Sequence, residues 1–375
     1  MEMKIVENYM DELIERSTLD APAWNIEAKR GNGKSLWNYV DGCMIMAILE
    51  YYDITKDKKY LEFADAYIGH RVNEDGTIEG FKIDAFNIDS VNAGKTLFHL
   101  YDLTGKEKYR KAIDLIYKQV LLQPRTKEGS FWHKLIYPQQ VWLDGLYMGQ
   151  PFYMEYETRF NDKKNYADIY NQFANVVRFM KDEKTGLYYH AYDSSKTMFW
   201  CDKETGLSDH FWLRAIGWYS MALLDTYCIA DPGVMGEERE ELKKTFIDLM
   251  ETMVRYQDET GMWYQIVDLV DREPNYLETS GSAIMAYCML KGVRYGVLPE
   301  EYREYAKKAF RGICDKYLIT KDGEMHLGGI VLVGGVGGPT MRRGDFDYYM
   351  SEPVVEDDAK GVGPFLLAYT ELRRL

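Results

Sequence analysis

The sequence contains few of the residues that build metal sites and disulfide frameworks. Its 375 residues include five cysteines, an odd number with no CxxC pair, so we expect buried thiols in a reducing compartment rather than disulfides. The six histidines lack HExxH or any other zinc-binding spacing. Neither a bound metal nor a disulfide scaffold is therefore expected.

Segments that direct a chain to membranes or to export are also missing. No run approaches the roughly 18 apolar residues of a membrane span, and the charged, amphipathic residues 1–16 lack the apolar core of a secretory signal. The net charge of −14 disfavours binding to nucleic acid and to anionic membranes. We expect a cytoplasmic protein, and the lack of a linker rich in Pro, Gly or Ser predicts a single domain over residues 1–375.

Helical periodicity dominates what is present. Charged, amphipathic helices are predicted near residues 3–16, 58–71, 107–121, 164–181, 237–257 and 300–318. Less charged helices with Gly and aromatic residues are predicted between them, near residues 37–52, 90–103, 144–159, 211–229, 280–295 and 358–371. The alternation predicts an all-α fold, a closed (α/α)6 barrel of six outer and six inner helices. An open helical solenoid is the alternative, although its repeats are usually more uniform.

Acidic residues recur where the predicted inner helices begin. Parallel inner helices would bring these ends together at one mouth of the barrel. Singly, each acid is an ordinary helix cap; together they would place several carboxylates on one concave floor. These residues are Asp41, Asp89, Asp144, Asp209 and the pair Asp357–Asp358. The preceding loops would supply aromatic and cationic walls that suit a sugar, among them His133, Lys134, Trp142 and His190.

Asp144 is the acid in the most unusual context, because it follows Trp142–Leu143 and precedes Gly145. Burial among apolar neighbours would raise its pKa toward a range useful for proton donation. The positive end of a helix would lower that pKa. We expect burial to prevail, and the alternative is that Asp144 only caps a helix.

Two further segments bear on this mouth. Arg214 stands at the start of a predicted buried helix and needs an anionic partner, either a protein carboxylate or a ligand. The segment Gly334–Pro339 fits neither the P-loop nor the dinucleotide-binding spacing. We interpret it as a mobile loop that could cover one mouth of the barrel.

These blocks together resemble glycoside hydrolase family 105, the unsaturated rhamnogalacturonyl hydrolases, and more distantly the unsaturated glucuronyl hydrolases of family 88. The resemblance covers nearly the whole chain. It is carried by residues 87–90, 133–134, 141–148, 190–193, 212–218 and 360–363, of which Trp-Leu-Asp-Gly-Leu-Tyr-Met and Arg-Ala-Ile-Gly-Trp are specific in combination.

The resemblance implies hydrolysis of a terminal 4,5-unsaturated galacturonic acid from rhamnogalacturonan-type oligosaccharides made by pectin lyases. It implies Asp144 as the general acid and base and Asp89 as an assisting carboxylate. It also implies that no metal or organic cofactor takes part. The positions expected to line the sugar site are Lys134, His190, Trp212, Arg214 and Trp218, in addition to the walls His133 and Trp142.

An unsaturated uronic acid is an enol ether, so its hydrolysis differs from attack at the anomeric carbon. Protonation at C4 leaves a cation at C5, water adds there, and the hemiketal opens. An unsaturated glucuronyl hydrolase acting on other lyase products is one alternative. A second alternative is a sugar 2-epimerase, which would need His190 paired with His210 or His326 as bases. A third is a non-enzymatic helical scaffold, which would catalyse no reaction on sugars. The expected partner is a small oligosaccharide, bound by a monomer or homodimer.

Overall fold

The computed structural model describes residues 2–31 and 33–375. The helices, in chain order, are α1 (Glu2–Glu15), α2 (Ile26–Arg30), α3 (Tyr39–Thr55), α4 (Lys58–Gly69), α5 (Asp89–Asn92), α6 (Lys95–Thr104), α7 (Glu107–Leu122), α8 (Leu143–Phe160), α9 (Tyr166–Met180), α10 (Leu213–Ile229), α11 (Glu237–Arg255), α12 (Thr279–Arg294), α13 (Tyr302–Tyr317), α14 (Phe346–Ser351) and α15 (Ala359–Arg373). A single turn of 3-10 helix covers Ile83–Ala85. Among these described residues, no helix is both long enough and apolar enough to cross a bilayer.

The inner helices close into a ring. Going round, α3 packs on α5 and α6, α5 on α8, α8 on α10, α10 on α12, α12 on α15, and α15 again on α3. Outer helices α1, α4, α7, α9, α11 and α13 pack around this ring. The predicted (α/α)6 barrel is therefore confirmed, and the open solenoid is wrong because its first and last helices would not meet.

Burial separates the two rings as the sequence pattern predicts. Inner helix α10 is buried along almost its whole length, whereas outer helix α11 buries only one stripe. Small residues let the inner helices approach closely: a Cβ on Gly363 of α15 would lie 2.8 Å from the Cys43 carbonyl oxygen on α3. The predicted helix at 90–103 is interrupted between α5 and α6. The other predicted barrel helices begin and end within a few residues of those observed.

Short antiparallel strand pairs connect the loops at the end of the barrel where the inner helices begin. The helical pattern of the sequence did not predict these strands. They are β1 (Gln140–Trp142) with β2 (Ala191–Asp193), β3 (Trp263–Tyr264) with β4 (Leu277–Glu278), β5 (Leu318–Lys321) with β6 (Glu324–Leu327), and β7 (Ile330–Val331) with β8 (Val354–Val355). In three of the pairs one strand leads into an inner helix: β1 leads into α8, β4 into α12, and β8 into the turn before α15. They fix the loops that carry the candidate site.

Candidate active site

The pairing of β1 with β2 brings Asp144 and His190 together. Trp142 is paired with Ala191, and the Leu143 N–H donates to the His190 carbonyl at 3.0 Å. Asp144 follows on the first turn of α8. Two residues that are distant in sequence therefore face each other at the mouth of the barrel.

Asp144, His190 and Tyr349 form a connected group. His190 Nε2 lies 3.2 Å from Asp144 Oδ2, and His190 Nδ1 shares a 2.7 Å hydrogen bond with the Tyr349 hydroxyl. The His190 side chain is fully buried, while 14% of the Asp144 side chain remains exposed. Tyr349 thus fixes the orientation of the imidazole, and Asp144 keeps a path to the outside.

The expectation about the pKa of Asp144 is wrong for the protein as it stands. Burial raises this pKa, but the close approach of the His190 imidazole, whose Nε2 lies 3.2 Å from Oδ2, outweighs burial and holds it below the ordinary value. The sequence did not show this opposing cause because it depends on the strand pairing. The carboxylate is the favoured form of Asp144 until another negative charge approaches it.

Asp144 is not a helix cap. Trp142 occupies the N-cap position of α8 and provides no side-chain hydrogen bond there. Asp144 lies inside the first turn, where the helix dipole favours its ionised form. The capping interpretation is therefore wrong.

Asp89 is contacted by Lys134 and His133, two neighbouring residues of the loop before β1. Lys134 Nζ lies 2.6 Å from Asp89 Oδ2, and His133 Nε2 lies 3.5 Å from Asp89 Oδ1. Burial lowers the pKa of Lys134, but Asp89 more than offsets this and raises it, so Lys134 keeps its proton. Burial lowers the pKa of His133 to about 4, which leaves that imidazole neutral near pH 7.

Aromatic rings line the site on two sides. His133 stacks on Trp142 with ring centroids 4.3 Å apart, and Tyr137 stacks on Trp142 at 4.9 Å. On the other side, the rings of His190 and Trp212 lie 4.7 Å apart. This places the predicted wall residues His133, Trp142, His190 and Trp212 around Asp144.

Arg214 has a different partner from the one predicted. Among the described residues, no carboxylate lies within ion-pair distance of it. Its guanidinium donates to the carbonyls of Val331 and Leu332, the latter at 3.3 Å, and contacts Ser280 Oγ at 3.4 Å. Ser280 Oγ in turn donates to buried Glu278, so the anion reaches Arg214 through a hydroxyl.

Trp218 lies deeper than the other predicted residues. Its ring is almost completely buried and stacks on Tyr147 with centroids 5.0 Å apart. Tyr147 is three residues after Asp144 on α8, and therefore on the same face of that helix. Trp218 packs under the site through Tyr147.

The glycine-rich loop packs across this mouth. A Cβ on Gly334 would overlap the Trp212 ring, and Val336 is fully buried next to Trp142 and Tyr137. The interpretation as a cover is consistent with these contacts, which hold the loop in place on the aromatic walls.

Arg342 is a residue that the sequence reasoning missed. Its Nη2 donates to the Tyr137 hydroxyl at 3.0 Å, its Nε donates to the Gly337 carbonyl at 3.2 Å, and its guanidinium lies 5.9 Å from the Trp142 ring centre. The only signal in the sequence was a basic pair, Arg342–Arg343, directly after the glycines. Tyr349 was missed as well, since one tyrosine among 31 carries no signal.

The site consists of acids, imidazoles, cations and aromatic rings. Within residues 2–31 and 33–375, no group of three or more His, Cys, Asp or Glu side chains is arranged to hold a metal ion. The groups present can transfer a proton, bind a carboxylate and stack on a sugar ring.

Comparison with known proteins relates this chain to glycosidases. The family model described as Glycosyl Hydrolase Family 88 matches residues 10–375. A family 105 glycoside hydrolase from C. acetobutylicum ATCC 824 is 44% identical with a TM-score of 0.91, covering 100% of this chain and 99% of that one. The unsaturated rhamnogalacturonyl hydrolase YesR of Bacillus subtilis is 27% identical over 77% of this chain and 78% of its own. The unsaturated glucuronyl hydrolase of Bacillus sp. GL1 is 16% identical with a TM-score of 0.69, over 99% of this chain and 97% of that one, a similarity of fold.

Proposed function

The chain belongs to glycoside hydrolase family 88, and on that premise we propose that it releases a terminal 4,5-unsaturated galacturonic acid from rhamnogalacturonan-type oligosaccharides. The reaction is hydration of the enol ether, with Asp144 as acid and base. Similarity to a rhamnogalacturonyl hydrolase supports a rhamnogalacturonan-type oligosaccharide as the parent of the substrate. An unsaturated glucuronyl substrate is the alternative, and similarity to the glucuronyl enzyme concerns the fold alone.

The state of Asp89 is the observation that carries this mechanism. A conventional glycosidase uses two carboxylates, one as acid and the other as base or nucleophile. Here Asp89 is occupied by Lys134 at 2.6 Å, whereas Asp144 faces an imidazole and remains partly exposed. One available carboxylate suits hydration of a double bond, in which the same group first gives and then takes a proton.

The substrate itself would prepare Asp144 for the first step. The unsaturated uronic acid carries a carboxylate, and a like charge beside Asp144 raises its pKa, as does the exclusion of water. Both effects oppose His190, which holds that pKa low. Asp144 then donates its proton to C4 and leaves the positive charge at C5.

The second step uses the carboxylate that the first step produces. Asp144 accepts a proton from water as the water oxygen bonds to C5. The resulting hemiketal opens, the glycosidic oxygen leaves with a proton, and one water is consumed overall. His190, fixed by Tyr349, stabilises the ionised form of Asp144 during this step.

Binding of an anionic sugar by a protein of net charge −14 requires local cations. Lys134 and Arg214 remain the cations proposed from the sequence, but one pairs with Asp89 and the other donates to backbone carbonyls. Arg342 is the additional cation proposed here, because it lies beside Trp142 without a carboxylate partner among the described residues. A sugar stacked on Trp142 would lie within its reach.

The epimerase interpretation lacks its second base. His190 is occupied by Asp144 and Tyr349, and His326 Nδ1 lies 2.7 Å from Asp357. His210 contacts Tyr349 only ring to ring, with centroids 6.3 Å apart.

The test is incubation with unsaturated disaccharides prepared with lyases, a galacturonyl set made from rhamnogalacturonan and a glucuronyl set made from glucuronate-containing polysaccharides. Because elimination removes the stereocentre at C4, both sets end in the same unsaturated sugar and differ in its anomeric linkage and in the sugar attached to it. We expect loss of the ultraviolet absorbance of the ring double bond and release of a keto-sugar acid, faster for the galacturonyl set. Faster turnover of the glucuronyl set would change the substrate and retain the mechanism. Release of sugar with the double bond intact would overturn the mechanism.

A further inference from the structure

The inner helices enclose a second cavity at the other end of the barrel. It has a volume of about 340 Å³, which lies at the lower end of the roughly 300–1,000 Å³ typical of small-molecule sites. Residues from both halves of the inner helices line it, from Lys95 at the start of α6 and Tyr147 near the start of α8 to Arg159 near the end of α8. Asp144 begins the same helix, about 20 Å from Arg159 but only about one turn from Tyr147, so the cavity extends from below the candidate active site to the opposite end of the barrel.

Nearly all charged side chains lining this cavity are paired. Each has an oppositely charged partner within 4.0 Å, and the charges balance except at Arg159, whose two carboxylate partners leave one negative charge. The pairs are Lys291 with Asp225, Glu50 with Arg374, His99 with Asp53, and Arg159 with both Asp102 and Glu155.

Lys95 differs from these groups. Within the described part of the chain it has no carboxylate partner at ion-pair distance, although it lines the cavity. Its Nζ donates to the Tyr147 carbonyl at 3.3 Å and lies 3.3 Å from the centre of the Tyr147 ring. An ammonium group has three donors, so the carbonyl leaves donors for a ligand.

We propose that this cavity is a second ligand site, which binds a small hydroxylated carboxylate of monosaccharide size with the carboxylate at Lys95. The phenol of Tyr287, which already joins Lys291 at 2.8 Å, is a polar partner for ligand hydroxyls. The ring of Tyr295, which is about half exposed, provides an apolar face for a sugar ring. The proposal does not depend on the reaction at Asp144.

Binding at Lys95 would be linked to proton uptake. Burial lowers the pKa of Lys95 to about 7, Asp225 and Cys43 act to raise it, and Lys291 acts to lower it. The other charged groups facing the cavity are in the pairs named above. Because an anion favours the protonated amine, Lys95 should take up a proton when the ligand binds near neutral pH, and binding should weaken as the pH rises above the pKa of Lys95.

The experiment is calorimetric titration of the whole protein with D-galacturonate, using D-galactose and acetate as probes that lack the carboxylate or the hydroxyls. We expect galacturonate to bind better than either. Lys95→Met should weaken binding about tenfold or more. Lys106→Met, which removes a surface lysine paired with Asp65, should change it little. Circular dichroism checks that each variant is folded.

Galacturonate could also bind at the Asp144 end, so Arg342→Ala separates the two sites. Binding that survives Arg342→Ala and is lost in Lys95→Met supports the proposal, and the reverse pattern overturns it. Titrations in buffers of different ionisation enthalpy measure proton uptake by the unmodified protein, independent of whether Lys95→Met folds. Binding without proton uptake would overturn the assignment to Lys95, and so would absence of binding.

Discussion

The two halves of the candidate active site use acidic side chains for different purposes. On α12 and α15, Glu278 and Asp358 are fully buried acids that accept hydrogen bonds from backbone N–H groups of the helices they precede. On α5 and α8, Asp89 and Asp144 lie within the first turn, and the N-cap residues before them provide no side-chain hydrogen bond. The first pair completes helices, and the second pair faces ionisable side chains.

The pKa values of Asp144 and Asp358 make the difference clear. Burial raises the pKa of Asp358, and nearby Lys360 only partly offsets it. For Asp144, His190 reverses the effect of burial. A raised pKa alone therefore does not mark a catalytic acid. Exposure to substrate and an ionisable neighbour distinguish the half that is suited to catalysis.

The largest effect is expected for Asp144→Asn. Loss of the proton donor should lower kcat by about 10²–10⁴-fold. The thermal stability should change little, because Asp144 supports no helix cap. Steady-state kinetics measure the change in kcat, and thermal unfolding measures the change in stability. An active but destabilised variant would mean that Asp144 belongs with the structural acids.

The next effect concerns the cation that covers the catalytic half. Arg342→Ala should raise KM for the unsaturated disaccharide about tenfold, the value of one charge-assisted hydrogen bond, and should change kcat less. Arg343→Ala is the matched control, because Arg343 is the adjacent, exposed arginine. Equal effects of the two variants would indicate general attraction by charge instead of a specific contact.

A smaller effect, seen in the pH profile, is expected for His190→Gln. His190 holds the pKa of Asp144 low against burial, so its removal should raise that pKa. If protonated Asp144 is the donor, the alkaline limb of the kcat/KM profile should move to higher pH, even if the rate falls. His70→Gln serves as the control, because it removes another imidazole that lies beside a carboxylate, that of Asp20. An alkaline limb that stays in place or moves to lower pH would contradict the pairing.

The sequence predicted the barrel well and the site only in part. Helical periodicity is local, so the barrel helices could be located from spacing alone, apart from the interruption between α5 and α6. Whether an acid caps its helix depends on which N–H groups reach it, as for Glu278, which the helix pattern did not identify. Arg342 reaches the site through Tyr137, a contact between distant segments that no local pattern contains. The pKa of Asp144 depends on strand pairing in the same way.

The smallest effect is expected in the structural half, for Asp358→Ala. Asp358 accepts from the Lys360 N–H at 3.0 Å and caps α15, so its loss should lower the free energy of unfolding by about 0.5–2 kcal/mol. Lys360 would keep Glu27 at 2.7 Å, which limits the cost of the lost ion pair. Asp358→Asn, which retains a capping side chain, should recover most of the stability. Denaturant unfolding measures the loss, and kcat per folded molecule should stay at the wild-type value. A large fall in kcat at unchanged stability would show that this acid also takes part in the reaction, and the two halves of the mouth would no longer differ in kind.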